Sequence, residues 1–200
     1  MNATSTPRSD LRELGRSAIR TEIAQRAIVL LDEQGFDQTT VEDISTAVGI
    51  SPRSFFRYFP TKEDLVIGDL MPMGRLVEQA LLDRPEDESP WVALRAALVP
   101  LVLTAEKDPE DVLRNTRVAL STAGLRAKTI ERHTAWAALL APIIAQRLPD
   151  STRHTAMAAD ALSQSALACL YVATVTWSSS DRSESYANLL DAAFSAVAPL

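Results

Sequence analysis

Three cations stand close together in an otherwise acidic chain. Between Arg53 and Lys62 lie Arg53, Arg57 and Lys62 with no acidic residue, although the 200-residue chain has a net charge of −6. An arginine fork fits a phosphate or the O6/N7 edge of guanine, and a lysine offers a compact charge to phosphate. The chemistry open to this stretch is therefore nucleic-acid recognition, provided that its cations share a face. Helical spacing supplies one: Arg53 and Arg57 are four apart, and Phe55 and Phe59 are four apart on another side. A helix here hides aromatics and shows arginines, with Ser54 and Tyr58 near the exposed side.

The elements that must hold this helix are legible around it. A first helix is predicted over Ile19–Gln34, with Ile23, Ala27 and Leu31 as its apolar stripe and Gly35 as its end. A second runs over Val41–Val48, started by Thr40 with Asp43 three residues on, and stopped by Gly49. Ile50 fills the corner. Ser51 then caps a third helix with Pro52 at its first position, where a missing N–H costs nothing, and it stops before Pro60. Two short helices joined by a tight glycine turn form a helix-turn-helix, whose second helix enters the major groove. Thr61 caps a fourth helix, in which Pro72 and Gly74 predict a kink or a break; a kink there would make the helix a lever. Residues 1–18, with Arg8, Arg12 and Arg16, read either as a disordered tail or as a basic arm touching DNA.

The run Gly35-Phe36-Asp37-Gln38-Thr39-Thr40-Val41-Glu42-Asp43-Ile44, then Ala47-Val48-Gly49-Ile50-Ser51, then Ser54-Phe55-Phe56-Arg57-Tyr58-Phe59-Pro60-Thr61-Lys62-Glu63-Asp64-Leu65, closely resembles the DNA-binding domain of TetR-type transcriptional repressors. The resemblance implies that Thr40 offers its N–H or hydroxyl to a phosphate. It places Pro52, Arg53 and Ser54, after the cap residue Ser51, where the family reads bases, and Phe56, Tyr58 and Lys62 where it grips the backbone. Phe56 stands where the family often has tyrosine, so a phosphate contact falls to Arg57 instead. Pro52 has no N–H to donate, which leaves Arg53 as the base reader.

The rest of the chain reads as further helices near 91–105, 109–122, 125–148, 151–178 and 183–198, making an all-α protein. The expected division is an arm over 1–18, a helix-turn-helix domain over 19–68, and a ligand-binding and dimerisation domain over 69–200. Residues 126–148, with Arg132, Trp136, Leu140 and Arg147-Leu148, loosely resemble the family branch whose ligands are acyl-CoA-like, which includes a mycofactocin-associated regulator. The expected effector is thus a small molecule, apolar or acyl-CoA-like. A pocket needs apolar walls with few polar groups. Its candidates are Trp91, Leu98, Leu103, Leu120, Trp136, Leu139, Tyr171 and Trp177, with Arg117, His133 or Gln164 as polar contacts. For each aromatic taken singly, packing in the core is the favoured alternative.

A stripe of Tyr186, Leu189, Leu190, Ala193, Phe194 and Val197, with Ala159, Leu162, Ala166 and Ala173 on the preceding helix, is the expected homodimer face; the alternative is that the stripe only packs on its own domain. The one cysteine, Cys169, and two histidines, His133 and His154, exclude a disulfide framework and argue against a metal site. No cofactor is expected. A polar N-terminus and the lack of an uncharged apolar run of about 18 residues predict no leader, no membrane span and a cytoplasmic location. No nucleophile elbow, phosphate loop or paired-histidine motif occurs, and Asp160, Ser163 and His154 make a triad only on paper. The competing reading is an all-helical carrier or enzyme that keeps a helix-turn-helix without using it.

Overall fold

The structure, a computed structural model, describes residues 7–68, 71–180 and 184–197, with side chains from Gly15 onward. Ten helices and no strand occur among these residues: α1 (Pro7–Gln34), α2 (Val41–Val48), α3 (Pro52–Tyr58), α4 (Lys62–Ile67), α5 (Met71–Leu82), α6 (Pro90–Lys107), α7 (Pro109–Ser121), α8 (Ala123–Arg147), α9 (Thr155–Ser179) and α10 (Tyr186–Val197). The protein is all-α, as the alanine-rich sequence requires.

The start of the chain differs from expectation. Helix α1 begins at Pro7 rather than near Ile19, taking in residues read as a tail or arm. The reason is local: Leu11, Arg12, Glu13 and Leu14 are strong helix formers, and Gly15 alone does not break them. Residues 1–6 lie outside the described residues.

The turns follow the sequence closely. Thr40 and Asp43 form a reciprocal capping box at the start of α2. At its other end Gly49 takes a left-handed conformation (φ 77°, ψ 33°). Its N–H reaches Thr46 O at 3.2 Å and that of Ile50 reaches Ser45 O at 2.9 Å, the paired bonds of a Schellman turn. An L side chain is strained at this φ, so glycine is needed. Ser51 Oγ then caps α3 by accepting from Ser54 N at 3.1 Å, with Pro52 in the first turn.

Two apolar clusters organise the helices. In the first, Ile23, Ala27 and Leu31 of α1 meet Ile44 of α2, Phe55 and Phe59 at α3, and Leu65, Val66 and Ile67 of α4. Phe55 is fully buried; burying such a side chain stabilises by about 1.5–3 kcal/mol. In the second, α5, α6, α8, α9 and α10 enclose Leu81, Leu94, Leu98, Leu140, Ile144, Leu170 and Phe194. The two are not independent, because Val118 of α7 and Leu125 of α8 pack into the first.

Polar ties reinforce that junction. Arg117 of α7 donates from Nε (3.0 Å) and Nη2 (2.5 Å) to the Asp32 carboxylate of α1. Lys128 of α8 lies 3.5 Å from Asp64 of α4. One turn further along α8, Arg132 Nη1 donates to Ile67 O, at the end of α4, at 3.4 Å.

The expected lever through Pro72 is corrected. Helix α4 ends at Ile67, Gly68 turns the chain at φ 72°, and α5 starts afresh at Met71. Pro72 therefore sits in the first turn of a new helix, where its missing N–H breaks no bond. Pro100 and Pro142 do lie inside α6 and α8. Helix α9 starts at Thr155, after His154 in a left-handed conformation (φ 53°), four residues later than Ser151.

Helix α9 is also long and apolar enough to cross a membrane by length and composition, which the sequence reading overlooked. Its serines, threonines and alanines hide the run. Ala159, Ser163, Ala166, Leu167, Leu170, Ala173 and Trp177 put one side of it into the second cluster.

Candidate nucleic-acid interface

Helix α3 divides its residues as the spacing predicts. Phe55 and Phe59 are buried with ring centroids 5.4 Å apart, while Pro52, Arg53, Phe56 and Arg57 are exposed. Arg53 makes no hydrogen bond or ion pair among the described residues, so its whole fork is free for an incoming acceptor. Arg57 lies over the Tyr58 ring, 5.0 Å from its centroid, with Nη2 3.4 Å from the hydroxyl. Phe56 is 54% exposed and meets Phe55 edge-on, an apolar side chain held at the surface with no covering group around it.

Several expected phosphate donors are already engaged. Thr40 donates from both N (2.9 Å) and Oγ1 (2.6 Å) to Asp43 Oδ2. These two bonds hold the Asp43 carboxyl below its ordinary range, so it stays a charged acceptor. Ser51 Oγ donates to Ser54 Oγ at 3.1 Å, so the Ser51 proton is spent on the cap while the Ser54 hydroxyl keeps its own proton to donate. Lys62 is a brace: Nζ donates to Phe36 O at 2.6 Å and Thr39 O at 2.9 Å and stands 4.1 Å from the Phe36 ring. It ties the start of α4 to the turn between α1 and α2, leaving one proton for a phosphate. What the resemblance assigns to free donors thus falls mainly to arginines.

Two more arginines stand beside these: Arg16, which the sequence offers as part of a basic arm, and Arg20, which it does not single out. Arg16 Nη2 donates to Arg57 O at 3.1 Å, at the end of α3, and Arg20 lies 5.2 Å from the Phe59 ring centroid. With Arg57, Tyr58, Pro60, Asp64 and Gly68 they line a cleft of about 400 Å³. The signal was in the sequence: Arg8, Arg12, Arg16 and Arg20 recur every fourth residue, one per helical turn.

The ligand candidates do not gather around one void. Trp91 packs on Phe194 at 4.5 Å and donates to its carbonyl at 3.3 Å, Leu98 is wholly buried in the second cluster, and Trp177 stacks on Tyr186 at 4.8 Å. Arg117 is corrected as a pocket group, because Asp32 occupies its fork. Leu120 is half-buried at the end of α7, Leu139 and Gln164 are half-buried, and Leu103 is exposed. His133, Trp136 and Tyr171 do come together, with His133 5.7 Å from the Trp136 ring and 6.2 Å from that of Tyr171. Burial, then the charge of Arg132, lowers the His133 pKa to about 4, so its imidazole is neutral at physiological pH.

No triad assembles. Ser163 is sealed inside the second cluster and donates to Ala159 O at 2.9 Å, while Asp160 faces out. Cys169 is buried, its Sγ 3.5 Å from Ala193 O, and burial pushes its thiol pKa up, away from reactivity.

The family model for bacterial regulatory proteins of the tetR family matches residues 23–67, and that for the MftR C-terminal domain matches residues 88–200. The chain belongs to the TetR family. Its first matched part holds the capping box, the Schellman turn and α3. Among curated relatives, TcmR of Streptomyces glaucescens is 32% identical over 150 residues, which cover 72% of this chain and 66% of TcmR. MftR of Mycobacterium tuberculosis, ascribed to the regulation of mycofactocin biosynthesis, is 32% identical over 134 residues, covering 66% of this chain and 67% of MftR. The match thus spans about two thirds of the length of these relatives. FadR from Bacillus subtilis, solved with stearoyl-CoA, shares the fold with a TM-score of 0.61 at 17% identity, over 90% of this chain and 98% of that one. AibR, solved with isovaleryl-CoA and operator DNA, does so with a TM-score of 0.52 at 16% identity, over 90% of this chain and 98% of that one.

Proposed function

We propose that this chain is a cytoplasmic homodimeric transcription regulator, most simply a repressor, that binds a palindromic operator in double-stranded DNA and leaves it when a small effector binds. Residues 19–68 would read the DNA, and 69–200 would hold the effector and the partner copy. The observation that carries this reading is Arg53: an unpaired guanidinium on the exposed side of a helix whose angle is set by the Gly49 turn and whose other side is locked by Phe55 and Phe59. An enzyme that merely retains the motif has no use for that free fork. The acyl-CoA complexes of two structural neighbours support an effector with an apolar or acyl-CoA-like body.

Binding selection on random duplexes tests the reading, and arginine removal sharpens it. Arg53→Ala is expected to weaken the selected operator by about 1–3 kcal/mol, roughly 5- to 150-fold, and to relax preference at one base pair per half-site. If Arg53→Ala binds that operator as tightly as the parent, Arg53 reads no base.

Lys62→Ala is expected to behave differently from a phosphate contact alone. Losing two charge-assisted hydrogen bonds should lower stability by about 1–3 kcal/mol as well as weakening all sequences alike. Thermal melts beside salt-dependent binding check this, and an unchanged melting temperature would make Lys62 only a DNA contact.

The dimer face needs revision. Tyr186, Leu190 and Phe194 of the expected stripe are buried within their own subunit. The large apolar side chains left outward are Met157 and Val172 of α9 and Val197 of α10, with Leu189 and Ala193 half-buried. A second copy related by a two-fold axis covers such a face with itself. Sedimentation at micromolar concentration is expected to show a dimer, and Val172→Asp a monomer.

A further inference from the structure

Helix α8 carries an arginine whose surroundings do not satisfy it. Arg132 is partly buried, and its Nε is sealed from solvent with no hydrogen-bond partner among the described residues. Of its five donors, only Nη1 is engaged, in the long 3.4 Å bond to Ile67 O. No described carboxylate lies within ion-pair distance of it. Of the other partly buried arginines, Arg84 pairs with Glu88, Arg95 with Asp191 and Arg114 with Asp111, Arg147 holds the carbonyls of Leu81, Arg84 and Pro85, and Arg20 rests over the Phe59 ring; among the described residues none of them has a nitrogen sealed from solvent without a partner. Taking a cation out of water without a counter-charge is costly, and proteins retain such groups where they have a use.

The neighbourhood shows what would satisfy it. The guanidinium lies 5.6 Å from the Trp136 ring centroid, and the neutral His133 and Tyr171 rings adjoin. An aromatic wall with one unpaired cation suits an anionic head on an apolar body. A carboxylate or phosphate takes the arginine fork bidentately, engaging Nε with one Nη.

We propose that Arg132 anchors the anionic head of the effector, a carboxylate or phosphate on an apolar body, and that this draws the guanidinium off the Ile67 carbonyl. The inference rests on the effector reading above. It also gives the signal a route. Ile67 ends α4, and the α4 residue Lys62 holds the carbonyls of Phe36 and Thr39 ahead of α2. An anion taking Nε and the adjacent Nη2 pulls on the guanidinium and strains its long Nη1 bond to Ile67 O, which loosens the element that braces the DNA-reading helices, with no contact to α3.

The test needs no DNA, so its outcome is separate from that of operator selection. The full chain is melted with decanoate, decanoyl-CoA or the neutral decanamide, and hydrogen exchange is followed over residues 62–68. At a hundredfold excess over Kd, an anionic probe is expected to raise the wild-type melting temperature by about 5–10 °C. Decanamide should leave it unchanged. Response to decanoate alone identifies a carboxylate head, and to decanoyl-CoA alone a phosphate-bearing one. Arg132→Met should abolish the anion-dependent rise, Arg132→Lys should keep part of it, and exchange over 62–68 should quicken on binding to the wild type. Equal shifts from decanamide, no shift from either anion, or an undiminished shift in a folded Arg132→Met overturns the anchor. Binding that leaves exchange over 62–68 unchanged overturns the link to α4.

Discussion

Gly74→Val is expected to destabilise the folded chain by about 3 kcal/mol, the upper end of what overpacking a core costs. A Cβ built at Gly74 falls 2.5 Å from Cδ1, 2.8 Å from Nε1 and 3.0 Å from Cγ of Trp136. Those atoms belong to a rigid indole that is only 5% exposed, so they cannot swing aside as the tip of a flexible side chain would. Glycine is there because α5 and α8 approach closely, not because the chain must bend. Gly74→Ala isolates the effect. In an open helix it would gain about 0.5–1 kcal/mol; here the clash should outweigh that gain and lower the melting temperature. Trp136→Leu removes the obstructing ring, so the double variant with Gly74→Ala should recover part of the loss, giving a coupling energy between the sites. A Gly74→Ala protein that melts higher than wild type would contradict the close-approach account.

That contact shows where sequence reading stops. The helix-turn-helix was legible because each of its devices is local. Thr40 and Asp43 are three apart, as are Ser51 and Ser54, and Gly49 closes bonds to residues three and four positions before it. The structure reproduces α2 and α3 at their expected ends for that reason. Gly74 and Trp136 lie 62 positions apart, and nothing near either one announces the other. Glycine beside proline reads as a hinge from sequence, whereas crossing helices make it a packing site.

The same distance in sequence explains the other corrections. Arg117 and Asp32 are 85 positions apart and Arg132 and Ile67 are 65 apart, so neither tie was foreseeable. Arg117 was counted as a pocket cation because a free arginine and a paired one look alike until their partners are placed. Trp91, Trp136 and Trp177 could not be sorted into wall and core for a similar reason. The arginine ladder of α1 is different. Its four-residue period is visible, and only the weight of polar composition makes residues 7–18 read as a tail or an arm rather than as helix.

Acid should unfold this protein earlier than its carboxylates alone would require, through His133. Its neighbours are cationic or apolar: Arg132 beside it, with Trp136 and Tyr171 packed around the ring. In the unfolded chain the imidazole takes a proton near its ordinary pKa of 6.5, whereas in the folded chain it resists until about 4. Between those values the unfolded state binds the extra proton, so stability falls as pH drops. The contribution is intact above pH 6.5, declines through the interval, and has been lost by pH 4. At about 1.4 kcal/mol per pH unit the loss reaches about 3.5 kcal/mol at most, a large part of a typical domain's stability. Urea unfolding of the wild type and His133→Gln at pH 7.5 and pH 4.5 measures it. Glutamine keeps polarity without taking a proton in this range, so the variant should lose clearly less stability on acidification. Equal acid sensitivity in the two proteins would mean that His133 is solvated when protonated and that the α8–α9 junction opens more readily than its packing implies.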